Sequence, residues 1–338
     1  MAAILLLATL NSCATKKEVE EPVAPANAQG IDVQSEEKVP YKIAYNVLVD
    51  ESLYNYDVFT MNPDGSGKRN ITQSKGVEWV YASFKDRLYI FSDIDTCYRC
   101  FGLYETDAYG SYFTKVTSVI LDDSWIDHRK NGEEWIVKPR GEGNSTFHII
   151  DRKGNLIEEV RVPLGYANDP VFTVDGKGII VRGSKVGSKL KKGYHDELFE
   201  YDLQTRQLTQ LTTYPKNDKT ATLFDYHAGP PRKKRNGEIS YSSKQNGNYS
   251  IFVYNPLVGK SRQVTKDSAD EVWHDWWAED SILVFDRLDE TTRTRYHIFT
   301  MDMRTKKELQ LTDTTYNFNQ APTIVLPPGK FVQPSSEY

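Results

Sequence analysis

The stretch IFTMDMRTKKELQLT (298–312) decides the fold, because four other segments align with it without gaps. Each segment begins with an aliphatic–aromatic pair, has Asn or Asp three positions after the aromatic residue, and ends in an aliphatic residue followed by Thr. The four segments are VFTMNPDGSGKRNIT (58–72), LYETDAYGSYFTKVT (103–117), LFEYDLQTRQLTQLT (198–212) and IFVYNPLVGKSRQVT (251–265). A weaker sixth copy is FHIIDRKGNLIEEVRV (147–162).

The spacing of these copies predicts a β-propeller. Successive Asn or Asp positions lie 45, 44, 51, 53 and 47 residues apart, which is the size of a propeller blade. The aliphatic–aromatic pair begins a strand, the Asn or Asp with its following Gly, Lys or Arg forms a turn, and a second strand ends in Thr. Two further strand candidates precede each pair except the first, which has one. The sequence therefore predicts an all-β protein, a six-bladed β-propeller of four-stranded blades.

The two ends of the repeat predict how the ring closes. The first unit has no inner strand, whereas the spare segment FNQAPTIVLPPGKFV (318–332) follows the last unit. We expect this C-terminal strand to complete the first blade beside residues 41–72, because closure leaves only short, protected strand edges.

Composition restricts the classes of partner. The chain has 338 residues, 42 Lys and Arg against 47 Asp and Glu, and a formal net charge of −5, which argues against a nucleic-acid partner. After residue 12 the sequence has no stretch of about 18 apolar residues, the length that a membrane-spanning helix needs. Two basic runs, SKLKKGYH (188–195) and PPRKKRNG (230–237), are expected to be solvated loops. We expect a monomer.

The N-terminus has the pattern of an export signal. Residues 1–12, MAAILLLATLNS, form a short apolar region directly before Cys13. LNSC resembles a bacterial lipobox, in which Cys13 would be lipidated and would anchor the protein without spanning the membrane. The predicted organisation is a signal peptide (1–12), a flexible tether (13–40) and the propeller (41–338). The predicted location is the bacterial cell envelope, as an outer-membrane lipoprotein that is periplasmic or surface-exposed.

The repeat units resemble the WD-like repeats of the TolB-type β-propeller family. NDPVFTVDGKGIIV (168–181) and NQAPTIVLPPGKFV (319–332) match the family pattern D-x-x-P-x-W-S-P-D-G-x-x-I-x-F in part, and five copies match its I-F-x-x-D and L-T portions. The resemblance covers about residues 41–333 and implies the fold more than a function, since propellers host many activities. Nothing in the sequence corresponds to the α/β domain that precedes the propeller of TolB.

Polar and aromatic residues mark the mouth of the predicted channel. In a propeller the starts of the inner strands and the loops between second and third strands meet at one face. The inner-strand starts carry Glu78, Trp79, Asp123, Trp125, Asp169, Asp225, Tyr226, His227, Trp273, His274 and Asn319. The loops between second and third strands add Arg140, Lys185, Lys244 and Arg287. These residues predict a polar funnel with aromatic walls that binds a polar ligand; alternatively, they are a hydrated channel lining.

Two groups of residues, a histidine pair and a cysteine pair, each have more than one possible role. His227 and His274, with Asp225 and Asp275, could hold a divalent cation, or could be two hydrogen-bonded histidines. No other cofactor is predicted, and His148 and His297 lie in third-strand patterns and are expected to be structural. Cys97 and Cys100 could form a local disulfide or stay as free thiols, or could serve a metal or redox site.

Catalytic motifs are mostly absent from the sequence. There is no GxSxG elbow, Walker loop or GxGxxG. The leading hypothesis is therefore a binding or scaffold module whose partner is a glycan, a peptide or an envelope protein. The alternative is a polysaccharide-acting enzyme, because some lyases with TolB-like propellers use a His-rich, metal-dependent channel. A third hypothesis is a structural envelope protein without a small ligand.

Overall fold

The computed structural model describes residues 41–187, 194–222, 224–266, 268–277 and 280–328. Within these residues, six antiparallel sheets of four strands each form the blades of a β-propeller. The predicted all-β fold, with its six four-stranded blades, is therefore confirmed. The predicted signal peptide, Cys13 and the tether lie outside the described residues.

The strands are numbered in chain order, and each blade is given from its innermost strand outward. The first blade contains β24 (Asn319–Val325), β1 (Lys42–Asp50), β2 (Asn55–Met61) and β3 (Arg69–Asn70). The second contains β4 (Glu78–Phe84), β5 (Arg87–Ser92), β6 (Phe101–Asp107) and β7 (Thr114–Leu121). The third contains β8 (Asp127–Arg129), β9 (Glu134–Val137), β10 (Thr146–Asp151) and β11 (Leu156–Arg161), with a 3-10 turn at Lys130–Gly132 after β8.

The other three blades follow the same order. The fourth contains β12 (Tyr166–Phe172), β13 (Gly178–Ser184), β14 (Glu197–Asp202) and β15 (Leu208–Gln210). The fifth contains β16 (Arg232–Lys233), β17 (Ile239–Gln245), β18 (Asn248–Asn255) and β19 (Lys260–Gln263). The sixth contains β20 (His274–Trp277), β21 (Ile282–Leu288), β22 (Tyr296–Asp302) and β23 (Glu308–Gln310).

The C-terminal strand closes the ring as the sequence predicts. β24 pairs with β1 in an antiparallel register that sets Lys42 opposite Val325. Its backbone is also held by the sixth blade, because Asp286 Oδ2 accepts the Ala321 N–H at 3.0 Å and Asp275 Oδ2 accepts the Ile324 N–H at 2.8 Å. The last strand therefore joins the first and sixth blades.

The hydrophobic core lies between neighbouring blades. Phe147 and Ile149 of β10 pack with Phe172 and Ile179 of the fourth blade, and all four side chains are fully buried. Burial of each such side chain contributes about 1.5–3 kcal/mol. The apolar faces of the sheets thus hold the ring together, while the inner-strand starts remain available for polar contacts.

One innermost strand bends where a residue before proline adopts a left-handed backbone. Asp169 has φ 55° and precedes Pro170 at an irregularity in the β12–β13 pairing. Its N–H donates to Ser124 Oγ of the third blade at 3.0 Å. A bulge of this kind kinks the strand and redirects its side chains; here it joins two blades.

The basic run PPRKKRNG was predicted to be a solvated loop, and this was wrong. Arg232–Lys233 form β16, the innermost strand of the fifth blade, and Lys234 is buried. The error has a physical cause, because a strand that faces a polar channel lacks the apolar alternation by which strands are recognised. Of the other basic run, residues 188–193 lie outside the described part of the chain. None of the helices in the part of the chain described here has the length and apolar character needed to cross a membrane.

Candidate functional site

A cavity of about 250 Å³ opens on the face of the disc where the innermost strands begin, called here the upper face. We call it the central cavity. Six of the predicted residues line it: Trp79, Asp123, Trp125, Asp169, Tyr226 and Trp273. Six further lining residues were not predicted: Tyr81, Arg99, Phe101, Tyr166, Asn168 and Arg182. The structure therefore brings part of the predicted set together.

The floor of the central cavity is made of aromatic rings from different blades. The ring of Trp125 lies 5.2 Å from that of Tyr81 and 5.7 Å from that of Trp273, measured between centroids. The guanidinium of Arg232 stacks on Trp125 at 3.8 Å. Since these residues come from the second, third, fifth and sixth blades, the contacts bridge the channel and give the cavity a fixed base.

A charged contact also crosses the channel. Lys233 Nζ of β16 lies 2.7 Å from Asp127 Oδ2 of β8 and donates to the His128 carbonyl at 2.9 Å. Burial opposes the ionised form of Asp127, but Lys233 reverses this and lowers the pKa of that carboxyl. This contact therefore connects the third and fifth blades directly.

The side of the central cavity contains a buried ion-pair network. Arg182 Nε donates to Asp169 Oδ2 at 2.7 Å and Arg182 Nη1 donates to Asp196 Oδ2 at 2.5 Å. All three residues are buried. Asp169 also accepts the Trp125 N–H at 3.0 Å. Its oxygens are therefore already engaged, and Asp169 has a structural role in the wall.

Asp123 offers the most accessible carboxylate of the central cavity. Tyr81 donates its hydroxyl hydrogen to Asp123 Oδ1, and the residue as a whole remains exposed to solvent. Protein atoms crowd around the carboxylate, and this desolvation raises its pKa. A ligand in the cavity would meet this group directly.

Arg99 enters the central cavity from a loop closed by a disulfide. Cys97 and Cys100 are bonded to each other in the loop between β5 and β6. The Arg99 backbone N–H donates to Asp93 Oδ2 at 2.6 Å, and Arg140 Nη1 donates to the Arg99 carbonyl at 2.6 Å. The predicted residue Arg140 thus supports the rim of the cavity from the third blade without lining it.

Two predicted residues are buried in structural hydrogen bonds outside the cavity lining. Glu78 Oε1 accepts the Ser92 hydroxyl at 2.9 Å, and burial raises the pKa of Glu78 to about 7. Asn319 Nδ2 donates to the carbonyls of Tyr296 and Tyr316, both at 3.1 Å. These contacts fix the starts of β4 and β24.

Three more of the predicted residues form ion pairs away from the lining. Lys244 Nζ of β17 lies 3.2 Å from Asp225 Oδ1. Arg287 lies inside β21, not in a loop, and pairs with Glu271 at 2.7 Å and with Glu308 at 2.8 Å. Each charge has a nearby partner, so these residues stabilise their own blades.

His227 lies in a second concavity, called here the side cleft, of about 480 Å³ near β14 of the fourth blade. The cleft is lined by Ser184, Lys185, His195, Glu197, Phe199, Gln210, Thr213, Tyr214, Pro215, Lys216, Asp218, Lys219, Ala221 and His227. The His227 ring is stacked between those of His195 at 4.5 Å and Tyr214 at 4.0 Å. Lys185, which was predicted at the channel mouth, thus lines the side cleft together with His227.

His274 has different surroundings from His227. Its Nε2 lies 2.7 Å from Ser240 Oγ, and the residue is buried. Burial, followed by the positive charges of Arg232 and Lys234, lowers the pKa of His274 to about 3. Asp275, proposed from the sequence to help hold a metal, accepts backbone N–H groups instead. The structure does not bring the two histidines to one site.

Sequence reasoning missed two charged residues of the central cavity. Arg182 interrupts the apolar run GIIVRGS, and a charge at an inward position of a buried strand indicates a buried ion pair. Arg99 follows from the rule used for Arg140 and Lys185, because it lies in a loop between second and third strands. Both signals were present in the sequence.

Comparisons with known proteins identify the fold. No protein-family model matches the sequence, and no curated protein matches it significantly. The structure is similar to the crystal structure of TolB from Acinetobacter baumannii, with a TM-score of 0.63 and 15% sequence identity, over 85% of this chain and 67% of that one. It is also similar to the structure of a putative TolB from Agrobacterium tumefaciens, with a TM-score of 0.58 and 14% identity, over 83% of this chain and 91% of that one. At these identities the comparison establishes a shared fold, and this chain therefore has a TolB-like six-bladed propeller.

Proposed function

We propose that this chain is an exported, lipid-anchored binding module of the bacterial cell envelope whose central cavity holds one sugar unit of a neutral or acidic glycan. The observation that supports the ligand class is the pair of charged groups, Asp123 and Arg99, in a cavity with aromatic walls. A carboxylate accepts and a guanidinium donates hydrogen bonds. A sugar has hydroxyl groups for both, and its C–H faces suit aromatic rings.

The charge of the lining disfavours a cationic ligand. Arg99 and Arg182 line the central cavity, and Arg232 stacks under its floor. Against them stand Asp123 and Asp169 in the lining and Asp196 beside it, the last two paired with Arg182. A lysine or amine would therefore meet at least as much positive as negative charge. A neutral or acidic ligand meets no such repulsion.

The rigidity of the central cavity favours binding. Its lining comes from the second to sixth blades, and the contacts of Trp125 with Trp273 and of Arg182 with the Tyr226 ring join blades before a ligand arrives. A preformed site loses little conformational freedom on binding. A volume of about 250 Å³ suits a single ring, with the rest of a glycan lying outside on the upper face.

An oligosaccharide array tests the ligand class. The full chain is applied to neutral and uronic-acid-containing oligosaccharides, and every positive probe is titrated while tryptophan fluorescence is recorded. We expect Asp123→Asn and Trp79→Ala each to weaken the affinity about tenfold or more, because each removes a direct contact worth about 1.4 kcal/mol. The matched controls Glu133→Gln and Phe113→Ala alter exposed residues outside the cavity and should bind as wild type does.

Two results would count against the glycan ligand. One is an array without any bound oligosaccharide. The other is binding that the cavity variants leave unchanged, which would direct attention to a protein partner on another surface. Peptide probes rich in lysine serve as the charge control and should not bind.

Export and anchoring are proposed from the apolar region 1–12 and from Cys13. Growth of an expressing strain with a palmitate analogue should label wild-type protein and leave Cys13→Ser unlabelled. Fractionation should then find the wild type with the membranes and Cys13→Ser in the soluble fraction. Unlabelled wild-type protein would rule out the lipid anchor.

The polysaccharide-lyase alternative has lost its geometric basis. It required His227, His274 and nearby acids around one metal ion. His227 is stacked in the side cleft, whereas His274 is buried against Ser240. Binding without chemistry is therefore the function that the geometry supports best.

A further inference from the structure

Three side chains of the third blade bring potential metal ligands together at its outer edge. His148 of β10 and Glu159 of β11 are directly paired across the antiparallel ladder, so their side chains project from the same face of the sheet. Glu142 reaches them from the loop between β9 and β10. One ligand atom from each residue lies within 4.8 Å of the other two. Among the residues that the structure describes, no other His, Cys, Asp or Glu cluster meets this criterion.

The histidine of this cluster is buried, and one of its ring nitrogens lies close to a carboxylate oxygen. The His148 side chain is 9% exposed, whereas that of Glu142 is 45% exposed. His148 Nε2 has Glu142 Oε2 at 2.7 Å. Nevertheless, within the described chain no partner makes a hydrogen bond of normal geometry with Nε2. A buried polar atom without such a bond needs an explanation, and a bound ion is one.

The charges of the cluster favour a cation. Glu142 and Glu159 place two carboxylates side by side, and like charges at this separation repel. Arg161 contacts Glu159 from the solvent side, but its side chain is 77% exposed, so water screens much of its charge. A divalent ion between the three ligands would neutralise both carboxylates and give His148 Nε2 a partner.

We propose that Glu142, His148 and Glu159 bind a divalent transition-metal ion of the zinc type, with water completing the coordination. One imidazole nitrogen and two carboxylate oxygens are donors that zinc accepts. Three protein ligands and an open fourth position are the arrangement of a zinc site that retains water. This site has no recognisable motif in the sequence, because its ligands are spaced 6 and 11 residues apart along the chain and meet only through strand pairing.

The metal would connect the outer edge of the third blade to the rim of the central cavity. The loop that supplies Glu142 also carries Arg140, which donates to the Arg99 carbonyl at 2.6 Å. Fixing Glu142 would restrict this loop and with it the contact to Arg99. The metal site itself rests on the geometry of the third blade and does not depend on the ligand of the cavity.

Calorimetric titration of the full chain tests the site. Protein treated with a chelator and dialysed is titrated at neutral pH with zinc chloride and, in parallel, with manganese chloride. We expect one zinc ion per chain and a higher melting temperature in its presence, because an ion that binds only the folded state stabilises it. Glu142→Gln and Glu159→Gln should each weaken zinc binding about tenfold or more, since even the loss of groups behind the ligands costs 10–100-fold.

A neighbouring glutamate provides the matched control. Glu158 precedes Glu159 in β11, points to the opposite face and pairs with Arg206 at 3.1 Å. Glu158→Gln should keep the stoichiometry and the affinity of the wild type. Both ligand variants change exposed side chains, so they should fold; circular dichroism spectra confirm this before titration.

Three outcomes would overturn the proposal. The first is wild-type protein that binds no zinc at one equivalent. The second is wild-type affinity in Glu142→Gln and Glu159→Gln. The third is binding abolished by His195→Gln and unaffected by the third-blade variants, which would place the ion in the side cleft. If His148 and Glu142 form only an ion pair, the first of these results will be observed.

Discussion

The central cavity and the side cleft both contain residues that were predicted to bind a ligand, but their charged side chains differ in burial and in pairing. In the central cavity Arg182 is buried between Asp169 and Asp196. In the side cleft the lysines, such as Lys185, stand exposed around a stack of three aromatic rings. The difference shows that a charge buried inside the ring needs an oppositely charged side chain beside it. A charge in the cleft has water as an alternative partner.

The largest effect should come from breaking the ion pair in the cavity wall. Arg182→Leu leaves Asp169 and Asp196 buried without their cation and should lower the free energy of unfolding by about 3–5 kcal/mol. Urea unfolding followed by circular dichroism measures this change. Lys185→Leu at the exposed edge of the side cleft is the counterpart and should stay within about 0.5 kcal/mol of wild type. If Arg182→Leu and Lys185→Leu lowered the free energy of unfolding equally, the proposed difference between a buried, paired charge and an exposed one would be wrong.

The two histidines that the sequence suggested as a pair give the next effect, which depends on pH. The folded-state pKa of His274 is about 3, whereas an unfolded chain has a histidine pKa near 6.5. The unfolded state therefore binds more protons between these values. The contribution of His274 to stability is complete above pH 6.5 and is lost as the pH falls towards 3.

His274→Gln should flatten this dependence. Between pH 7 and 5 the wild type should lose about 2 kcal/mol through His274, since the slope approaches 1.36 kcal/mol for each unit of pH below 6.5. The variant lacks this loss, although it is expected to be less stable than wild type at pH 7. Urea unfolding of both proteins at pH 7 and pH 5 gives the difference. The same decline in both would show that His274 is not held neutral.

The smallest effect should come from the hydroxyl group of the side-cleft stack. The Tyr214 hydroxyl donates to the Lys244 carbonyl at 2.5 Å and accepts the Ala221 N–H at 3.3 Å. Tyr214→Phe keeps the ring on His227 and should cost about 1 kcal/mol of unfolding free energy. Tyr54→Phe, at an exposed tyrosine, is the control and should leave the free energy of unfolding nearly unchanged. If Tyr214→Phe leaves the free energy of unfolding unchanged, the ring stacking holds the cleft together without help from the hydroxyl group.

The sequence predicted the fold in detail because the repeat is local and periodic. Each blade carries its own strand and turn pattern, and the spare segment at 318–332 could only complete the first blade. β16 escaped prediction for the opposite reason. Its residues Arg232 and Lys233 face other charged and aromatic groups across the channel, so the strand has no apolar pattern.

The candidate site was predictable only in part. Trp79, Asp123 and Trp273 line the central cavity, and strand order alone was enough to predict that position. Whether a side chain there is free or engaged depends on contacts within and between blades. Asp169 is engaged by Arg182 of its own blade and by the Trp125 backbone of the third blade. The strand order that places Asp169 at the cavity does not show that its oxygens are already engaged.

The pairing of Lys42 with Val325 has a practical consequence for handling the protein. β24 runs away from the upper face and β1 runs towards it, so the chain enters β1 and leaves β24 on the opposite side of the disc. An affinity tag or a sensor chip coupled at either point would therefore present the opening of the cavity to the solution.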